Sequence, residues 1–308
     1  MGDIANERKG VIFCVPSTEF LLRFCCVTPL PTCRQAGTFS NLLNMQLHTS
    51  KNIEELSRGV AEWMVDYIHK TLLLQDRFTI ALSGGSTPKK LHLLLASHPF
   101  SNRIDWQKLH VFWGDERYVP FTDERNNAKM AFDTLLDHVP VPKSQIHIIR
   151  TDIDPEESAK EYEFILRDYF PAARHKLQAI SGAPSHHSPL TTHDANSSTF
   201  DLVLLGLGNN SHTLSLFPGE EVIHEKDQWV RSVFVKEVKM ERITLTAPVV
   251  NLSKRIAFLV SGQDKAEAVA HILSDSYDPD RYPAQVIKPV NGELFWFMDE
   301  PAASRVKQ

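Results

Sequence analysis

Hydrophobic and polar positions follow a regular pattern along the chain from Met45 onward. Short apolar runs rich in β-branched and aromatic residues are typical of buried strands, and apolar residues at helical spacing are typical of amphipathic helices. The pattern predicts strands at Phe78–Leu82, Leu109–Trp113, Gln145–Ile149, Phe200–Leu205, Arg242–Leu245, Arg255–Val260 and Leu294–Phe297. It predicts helices at Asn52–Leu74, Pro88–Ala96, Asn126–Asp137, Pro155–Phe170 and Asp264–Ser274. This alternation indicates an α/β fold with a mostly parallel sheet, in which ligands bind beyond the carboxyl ends of the strands.

Two segments depart from this pattern. Residues 1–44 show no sustained helical or strand period, so we predict a loosely ordered N-terminal extension, with a short targeting or docking arm as the alternative. The extension contains all four cysteines of the chain: Cys14, Cys25, Cys26 and Cys33. Residues 180–199 are rich in Ser, Thr, Pro and Gly, which is typical of a flexible surface loop inserted in a domain at 45–308. The loop contains three histidines without a nearby carboxylate–histidine pattern, so no metal site is predicted there: His186, His187 and His193.

Composition and charge narrow the classes of function. The net charge of −5 provides no overall attraction for polyanions, so nucleic acid is not an expected partner and a phosphorylated ligand needs local donors. The absence of cysteines after residue 33 excludes a disulfide framework through the fold and favours a cytoplasmic protein. No uncharged apolar run reaches the length of about twenty residues that a membrane helix needs.

A Gly-rich loop follows the predicted strand Phe78–Leu82 and leads into a helix. Its sequence is Ser83-Gly84-Gly85-Ser86-Thr87-Pro88. Two glycines let the backbone approach an anion closely, and the amides at a helix start carry partial positive charge. The loop therefore predicts a phosphate site, with an ordinary capped strand-to-helix turn as the alternative.

Three charged residues, Asp115, Glu116 and Arg117, follow the predicted strand Leu109–Trp113. Arg117 could clamp a phosphate or an oxyanion, and Asp115 or Glu116 could move protons or orient hydroxyl groups. A solvated turn with a local ion pair is the alternative.

A histidine, His212, closes a Gly- and Asn-rich turn after the predicted strand Phe200–Leu205. The pKa of histidine lies near neutrality, which suits a general base, and the loop position favours catalysis over a structural role. Two separate cations, Arg242 and Lys265, could add contacts to an anionic ligand. Each of them alone is equally typical of an exposed surface charge.

Taken together, these segments resemble the 6-phosphogluconolactonases. The blocks that carry the resemblance span roughly residues 45–302: SGGSTP, WGDERYVP, GLGNNSHTLSLFPG, RITLT, GQDKAEAV and GELFWFMDEPA. The resemblance implies one three-layer α/β/α domain, with the fold shared by glucosamine-6-phosphate deaminases, ribose-5-phosphate isomerases and CoA transferases. It also implies hydrolysis of 6-phospho-D-glucono-1,5-lactone to 6-phospho-D-gluconate in the oxidative pentose phosphate pathway, without a cofactor or metal. We expect a monomer or a weak homo-oligomer.

The resemblance also implies roles for individual residues. It places the sugar phosphate against the loop at residues 83–87, Arg242 and Lys265, with Arg117 nearby. It makes His212 the base that activates water for attack on the lactone carbonyl, and the protonated imidazole could then protonate the departing ring oxygen.

One position departs from the family pattern. The family usually has an acidic residue two positions before the histidine, in a block close to PDGHTASLFPG, whereas this chain has Asn210 followed by Ser211. A carboxylate orients and polarises the imidazole, and an amide can only hydrogen-bond to it without charge. Asn210 therefore enters the predicted catalytic set with its effect on activity left open.

Two other functions compete with this prediction. A sugar-phosphate isomerase or deaminase on the same fold would need a carboxylate base, for which Asp115 is the candidate. A sugar-phosphate-binding protein with weakened catalysis is made conceivable by Asn210. The histidine with its SLFPG continuation and the DER sequence at Asp115 favour the lactonase.

Overall fold

The computed structural model describes residues 45–173 and 198–306. In these ranges the strands are β1 (Met45–Ser50), β2 (Phe78–Leu82), β3 (Leu109–Trp113), β4 (Asp115–Arg117), β5 (Leu202–Leu205), β6 (Val230–Val235), β7 (Met240–Leu245), β8 (Arg255–Val260) and β9 (Glu293–Asp299). The helices are α1 (Ile53–Leu72), α2 (Ser86–Leu95), α3 (Asn127–Ala131), α4 (Pro155–Tyr169), α5 (Ala247–Asn251), α6 (Ala266–Ile272) and α7 (Glu300–Ala303). The predicted extension with its cysteines, and most of the predicted loop with its three histidines, lie outside the described residues.

A six-stranded sheet in the order β1-β9-β8-β5-β2-β3 forms the centre of the domain. All its strand pairs are parallel. Strands β2 and β5 are buried at every position, because helices flank the sheet on its faces. Large aromatic rings fill the interior, and Trp296 stacks on Phe258 with the ring centroids 4.1 Å apart. The predicted α/β fold with a mostly parallel sheet is confirmed.

Helices form at each of the five segments where the apolar period predicts them, and the short helices α5 and α7 were not predicted. The Asn52 side chain caps α1 by accepting a hydrogen bond from the Glu55 amide at 2.9 Å. The helix then buries Leu56, Val60 and Met64, which lie four residues apart on one face. No helix in the described ranges is long and apolar enough to span a membrane.

Two of the predicted helices change character along their length. The predicted helix Asn126–Asp137 is the short α3 followed by a π-helical turn at Phe132–Leu136. The predicted helix Asp264–Ser274 begins as a 3₁₀ turn at Gln263–Lys265 and continues as α6. A 3₁₀ turn is frequent at the end of an α-helix and a π-helical turn is rare, and the apolar period distinguishes neither of them from an α-helical turn.

A second, antiparallel sheet in the order β4-β7-β6 corrects two predictions. Asp115–Arg117 forms strand β4 instead of a loop, and Arg242–Leu245 belongs to this small sheet instead of the parallel one. The chain leaves the central sheet at Gly114, whose amide donates to the Leu82 carbonyl at 2.9 Å and whose carbonyl accepts from the Leu245 amide at 2.8 Å. A strand of three charged residues has no apolar period, so the sequence does not reveal it.

The strand prediction was wrong at three other places. Gln145–Ile149 is not a strand, because only Ile146 forms an isolated bridge, to Val111 on the edge strand β3. Strand β1 was missed because it is a sheet edge with its residues exposed or half-buried, which weakens its apolar signal. Strand β6 was missed for the same reason, with most of its positions half-buried or exposed.

The strand order decides which loops meet. Strands β8, β5, β2 and β3 are neighbours, and in register Leu82 faces Trp113 and Leu205 faces Phe258. Because these strands are parallel, the segments that follow them leave the sheet at the same edge. The segments that converge are the Gly-rich loop at residues 83–88 after β2, strand β4 after β3, the histidine turn at residues 206–212 after β5, and the turn at Lys265 after β8.

Candidate active site

The converging segments surround a cavity of about 400 Å³. This volume lies within the range of about 300–1,000 Å³ that is typical of small-molecule sites. The predicted site residues that line the cavity are Ser83, Gly84, Gly85, Ser86, Thr87, Asp115, Arg117, Asn210, His212, Arg242 and Lys265. Glu116 is not among the residues that line it.

The Gly-rich loop forms a wall of this cavity at the start of α2. Gly85 has a φ of 108°, a backbone conformation that favours glycine, and no described side chain caps the helix. A Cβ atom at Gly84 would lie 1.8 Å from Asn127 Oδ1, so only glycine fits there. The uncapped first amides of α2 are therefore suited to bind an anion.

Three cationic side chains line the same cavity. The side chain of Arg242 is 10% exposed and that of Lys265 is 23% exposed. The Nε atoms of Arg117 and Arg242 are buried and have no hydrogen-bond partner among the described residues. Buried donors without a partner are rare in folded proteins, so these two guanidinium groups are suited to receive an anionic ligand. The cavity is locally cationic although the whole chain has a net charge of −5.

The carboxylate of Asp115 is buried beside Arg242. Its Oδ2 accepts a hydrogen bond from Ser215 Oγ at 2.7 Å and lies 3.7 Å from Arg242 Nη1. Asn127 Nδ2 donates to the Asp115 backbone carbonyl at 2.9 Å. These contacts hold the Asp115 carboxylate in place beside Arg242, because Ser215 already donates to its Oδ2 atom.

Glu116 faces the start of α3 instead of the cavity, which corrects its placement in the catalytic set. Its Oε1 accepts from the amides of Arg117 at 2.8 Å and Asn127 at 2.7 Å, and its Oε2 accepts from the Ala128 amide at 2.8 Å. Burial raises the pKa of Glu116 to about 7, although these amide hydrogen bonds act in the opposite direction. Successive side chains of a strand point to opposite sides, so Asp115 and Arg117 reach the cavity and Glu116 does not.

His212 lies half-buried at the end of a tight turn. Its ring stacks on Phe217 with the centroids 3.9 Å apart and the planes 14° apart. Nδ1 lies 2.5 Å from Asn210 Oδ1, and because an amide oxygen can only accept, Nδ1 carries the hydrogen. The other ring nitrogen, Nε2, therefore has the free lone pair that a general base needs.

The pKa of His212 is lowered to about 4, chiefly because burial penalises the charged imidazolium. The carboxylate of Asp115 opposes this shift, and the cations Arg242, Lys265 and Arg117 add to it. The expectation of a pKa near neutrality is therefore corrected. The imidazole of the free protein is neutral at pH 7 and can accept a proton.

Sequence reasoning missed several residues around the histidine. Ser215 and Phe217 are within the GLGNNSHTLSLFPG block but were not given roles. Asn127 lines the cavity from the start of α3. Glu237, in the turn between β6 and β7, accepts from Asn210 Nδ2 at 2.9 and 2.8 Å with its two carboxylate oxygens. Nothing in the local sequence around Glu237 indicates this contact, because 27 residues separate it from Asn210.

The described residues contain no group of three or more His, Cys, Asp or Glu side chains that could hold a metal ion.

Fold and cavity together define a class: an α/β protein with a neutral histidine beside a group of cationic side chains at the sheet edge. The family model described as glucosamine-6-phosphate isomerases/6-phosphogluconolactonase matches residues 51–296. The chain belongs to this family.

Three known proteins illustrate the similarity. A rice protein (Oryza sativa subsp. indica) named "Probable 6-phosphogluconolactonase 3, chloroplastic" is 37% identical, over 82% of this chain and 73% of its own. A 6-phosphogluconolactonase of Synechocystis sp. is 38% identical over 78% of this chain and 89% of its own. The solved structure of 6-phosphogluconolactonase from Trypanosoma brucei matches with a TM-score of 0.66 and 25% identity, covering 85% of this chain and 98% of that one.

Proposed function

We propose that this protein hydrolyses 6-phospho-D-glucono-1,5-lactone to 6-phospho-D-gluconate, the second step of the oxidative pentose phosphate pathway. Membership in the family and similarity to relatives named 6-phosphogluconolactonase support this function. The observation that carries the proposal is a neutral His212 with a free Nε2, in a cavity that also contains Arg117, Arg242 and Lys265. A phosphorylated ester substrate requires both a cationic binding site and a base.

In the proposed mechanism the phosphate binds to the Gly-rich loop at residues 83–87, Arg242 and Lys265, with Arg117 nearby. His212 Nε2 removes a proton from a water molecule as its oxygen attacks the lactone carbonyl carbon. The carbon–ring oxygen bond of the tetrahedral intermediate then breaks. The protonated Nε2 returns its proton to the ring oxygen, which leaves as a hydroxyl group, so the histidine is regenerated.

Hydrolysis of freshly generated lactone tests this proposal directly. The lactone also opens spontaneously, so the measurement is the rate of acid release above the background without protein. We expect a rate that rises in proportion to protein concentration. No rate above background from folded protein, together with binding of 6-phosphogluconate, would favour the alternative of a sugar-phosphate-binding protein.

An isomerase or deaminase is the other alternative, and it would need Asp115 as a base. The Oδ2 atom of Asp115 accepts from Ser215 Oγ and lies beside Arg242, and its Oδ1 atom lies 3.4 Å from Asn127 Nδ2, so both oxygens already have donors within the protein. Release of ammonia from glucosamine 6-phosphate, or isomerisation of an aldose phosphate, would support this alternative and contradict the lactonase.

We also propose that residues 45–308 form the catalytic domain and that residues 1–44 are a loosely ordered extension. We propose a cytoplasmic location and a monomeric or weakly associating state. The composition break at Met45 supports the domain boundary. Fractionation of cells that express the full chain, followed by size-exclusion chromatography, tests location and assembly. Recovery in an organelle would favour the targeting-arm alternative.

A further inference from the structure

Glu237 is the residue of the cavity rim whose contacts the proposed mechanism does not use. It lies in the turn Lys236–Lys239 between β6 and β7 and lines the cavity. Both of its carboxylate oxygens accept from the same nitrogen, Asn210 Nδ2. On the other side of the amide, Asn210 Oδ1 accepts from His212 Nδ1 at 2.5 Å and from the His212 amide at 3.2 Å. A continuous chain therefore runs from Glu237 through Asn210 to His212.

The orientation of the Asn210 amide decides which nitrogen of His212 carries the hydrogen. In the observed orientation Oδ1 faces Nδ1, so Nδ1 is protonated and Nε2 is free. In the reversed orientation Nδ2 would face Nδ1 and donate to it, so the hydrogen would move to Nε2 and block the base. Reversal would also place Oδ1 against the Glu237 carboxylate, where acceptor meets acceptor.

We propose that Glu237 is a positioning residue that holds the Asn210 amide in the productive orientation and thereby selects the Nδ1–H tautomer of His212. A charged acceptor binds an N–H group more strongly than a neutral one does, so the carboxylate favours the observed orientation, to which the His212 amide contributes by donating to Oδ1. Glu237 and Asn210 together then do what a single carboxylate beside the imidazole would do. Only the expected effect on the rate of hydrolysis rests on the proposed function, because the tautomer of His212 can be measured without substrate.

The first test measures the tautomer itself, in the full-length protein labelled with ¹⁵N in histidine. Two-bond proton–nitrogen correlation spectra at neutral pH distinguish the protonated ring nitrogen from the bare one. We expect the wild type to show the Nδ1–H form of His212, assigned by its absence from His212→Asn. Glu237→Ala should increase the ratio of Nε2–H to Nδ1–H by roughly tenfold or more, as expected for the loss of a charge-assisted hydrogen bond.

A matched pair of variants isolates the contact from its surroundings. Lys236→Ala changes an exposed charge in the same turn without touching Asn210, and it should leave the tautomer unchanged. In the variant Asn210→Asp/Glu237→Ala, the carboxylate at position 210 can only accept, so the Nδ1–H form should return. A Glu237→Ala spectrum identical to that of the wild type would overturn the proposal, as would loss of the Nδ1–H form in the double variant.

The kinetic consequence is a fall in the kcat of Glu237→Ala in proportion to the fraction of the Nδ1–H tautomer that the spectra show to be lost, with little change in KM, because the base is affected and the phosphate contacts are not. The double variant should recover most of this loss. If the tautomer responds as expected but no variant, including the wild type, hydrolyses the lactone, the proposed function fails and the role of Glu237 stands. A lowered kcat with an unchanged tautomer would overturn the role of Glu237 and leave the lactonase intact.

Discussion

At the scale of single residues, the surroundings of His212 determine its protonation state. An unperturbed histidine has a pKa of about 6.5, so about a quarter of it is charged at pH 7. Burial against Phe217 and three nearby cations lower the pKa of His212 to about 4. Such an imidazole is almost entirely neutral at pH 7, so nearly every molecule holds its base in the reactive form. A bound phosphate dianion would in turn stabilise the imidazolium that forms during attack.

The free energy of unfolding should depend on pH because the pKa of His212 is lowered in the folded protein. Below its unperturbed pKa of 6.5, the unfolded chain binds a proton at His212, and the folded protein binds it only near pH 4. The unfolded state therefore holds more protons in this window, and the stability present above pH 6.5 is lost as the pH falls toward 4. His212→Asn should flatten this dependence, which urea unfolding at about pH 7.5 and about pH 5 would measure.

His92 and His147 also have pKa values lowered to about 4 by burial, so they contribute to the dependence in both proteins. The informative quantity is therefore the difference in pH dependence between His212→Asn and the wild type. An identical dependence in the two proteins would contradict a lowered pKa at His212.

Removal of the base should remove most of the catalysis. His212→Ala should lower kcat by roughly 10²–10⁴-fold, the usual cost of losing a general acid–base group. The loss of ring stacking on Phe217 should lower the melting temperature only slightly, since His212 is half-buried. His69→Ala, on the exposed face of α1, is the matched histidine control. Wild-type rates from folded His212→Ala protein would refute the mechanism.

The cations should determine affinity for the phosphate. Lys265→Ala should weaken binding of 6-phosphogluconate by about 1.5–3 kcal/mol, the cost of one charge-assisted contact. Arg242→Lys keeps the charge but loses the planar fork, so it should weaken binding less. Arg242→Ala is a poorer choice, because it would leave the buried Asp115 carboxylate without its cation.

Titration calorimetry with 6-phosphogluconate measures these affinities. Lys70→Ala, which removes an exposed lysine of α1 paired with Asp66, serves as the control and should bind like the wild type. Unchanged affinity in both Lys265→Ala and Arg242→Lys would exclude this cavity as the phosphate site.

At the scale of elements, the turn after β5 is shaped by close packing between its own residues. The Gly208 amide donates to the His212 carbonyl at 2.8 Å, and the Ser211 amide donates to the Gly208 carbonyl at 3.1 Å. Ser211 has a φ of 67°, in the left-handed region that favours glycine. The turn therefore places the imidazole directly over the Gly208 backbone.

Gly208→Ala should consequently impair catalysis more than folding. The added Cβ atom would lie 2.0 Å from His212 Nδ1 and 2.7 Å from Asn210 Oδ1, so the imidazole and the amide must move. We expect kcat to fall by about 10²-fold or more, because a displacement of about 1 Å in a catalytic group has effects of this size.

Gly59→Ala is the matched control for this substitution. Gly59 is exposed on α1 and has open space at its Cβ position, so alanine should raise the free energy of unfolding by about 0.5–1 kcal/mol without changing kcat. Wild-type kcat in Gly208→Ala would contradict the close packing of the turn against the ring.

At the scale of the whole molecule, the strand order assembles the site. Neighbouring parallel strands bring together segments that are far apart in the sequence, and the small antiparallel sheet adds Arg242 and Glu237 from one hairpin. Residues from five parts of the chain, within the ranges 83–88, 115–127, 206–217, 237–242 and 259–265, therefore share one cavity. The positions of these side chains depend on the rigid sheet that carries their segments.

The proposed extension at residues 1–44 should be dispensable for this assembly. A chain that starts at Met45 should keep its melting temperature and its lactone hydrolysis nearly unchanged, because terminal segments usually make few stabilising contacts. Thermal unfolding and the acid-release assay compare it with the full chain. An insoluble or inactive product would show that the extension packs on the domain.

The sequence alone determined the features that depend on local pattern. Buried strands such as Phe78–Leu82 and helices such as Asn52–Leu74 follow from apolar periodicity. Burial of one helix face, or of a whole strand, requires apolar residues at regular positions that are close together in the sequence. The α/β class and the ligand edge follow from their alternation. The residues of the Gly-rich loop and the histidine turn line the cavity, since both segments follow inner strands.

Only the tertiary structure decided what these residues contact. It turned Glu116 away from the cavity, because the short strand β4 pairs with β7 more than a hundred residues later. It lowered the pKa of His212, because burial and charge come from several distant segments. It also placed Glu237 behind Asn210. Each of these features is a contact between residues far apart in the chain, and a pattern of neighbouring residues carries no record of such contacts.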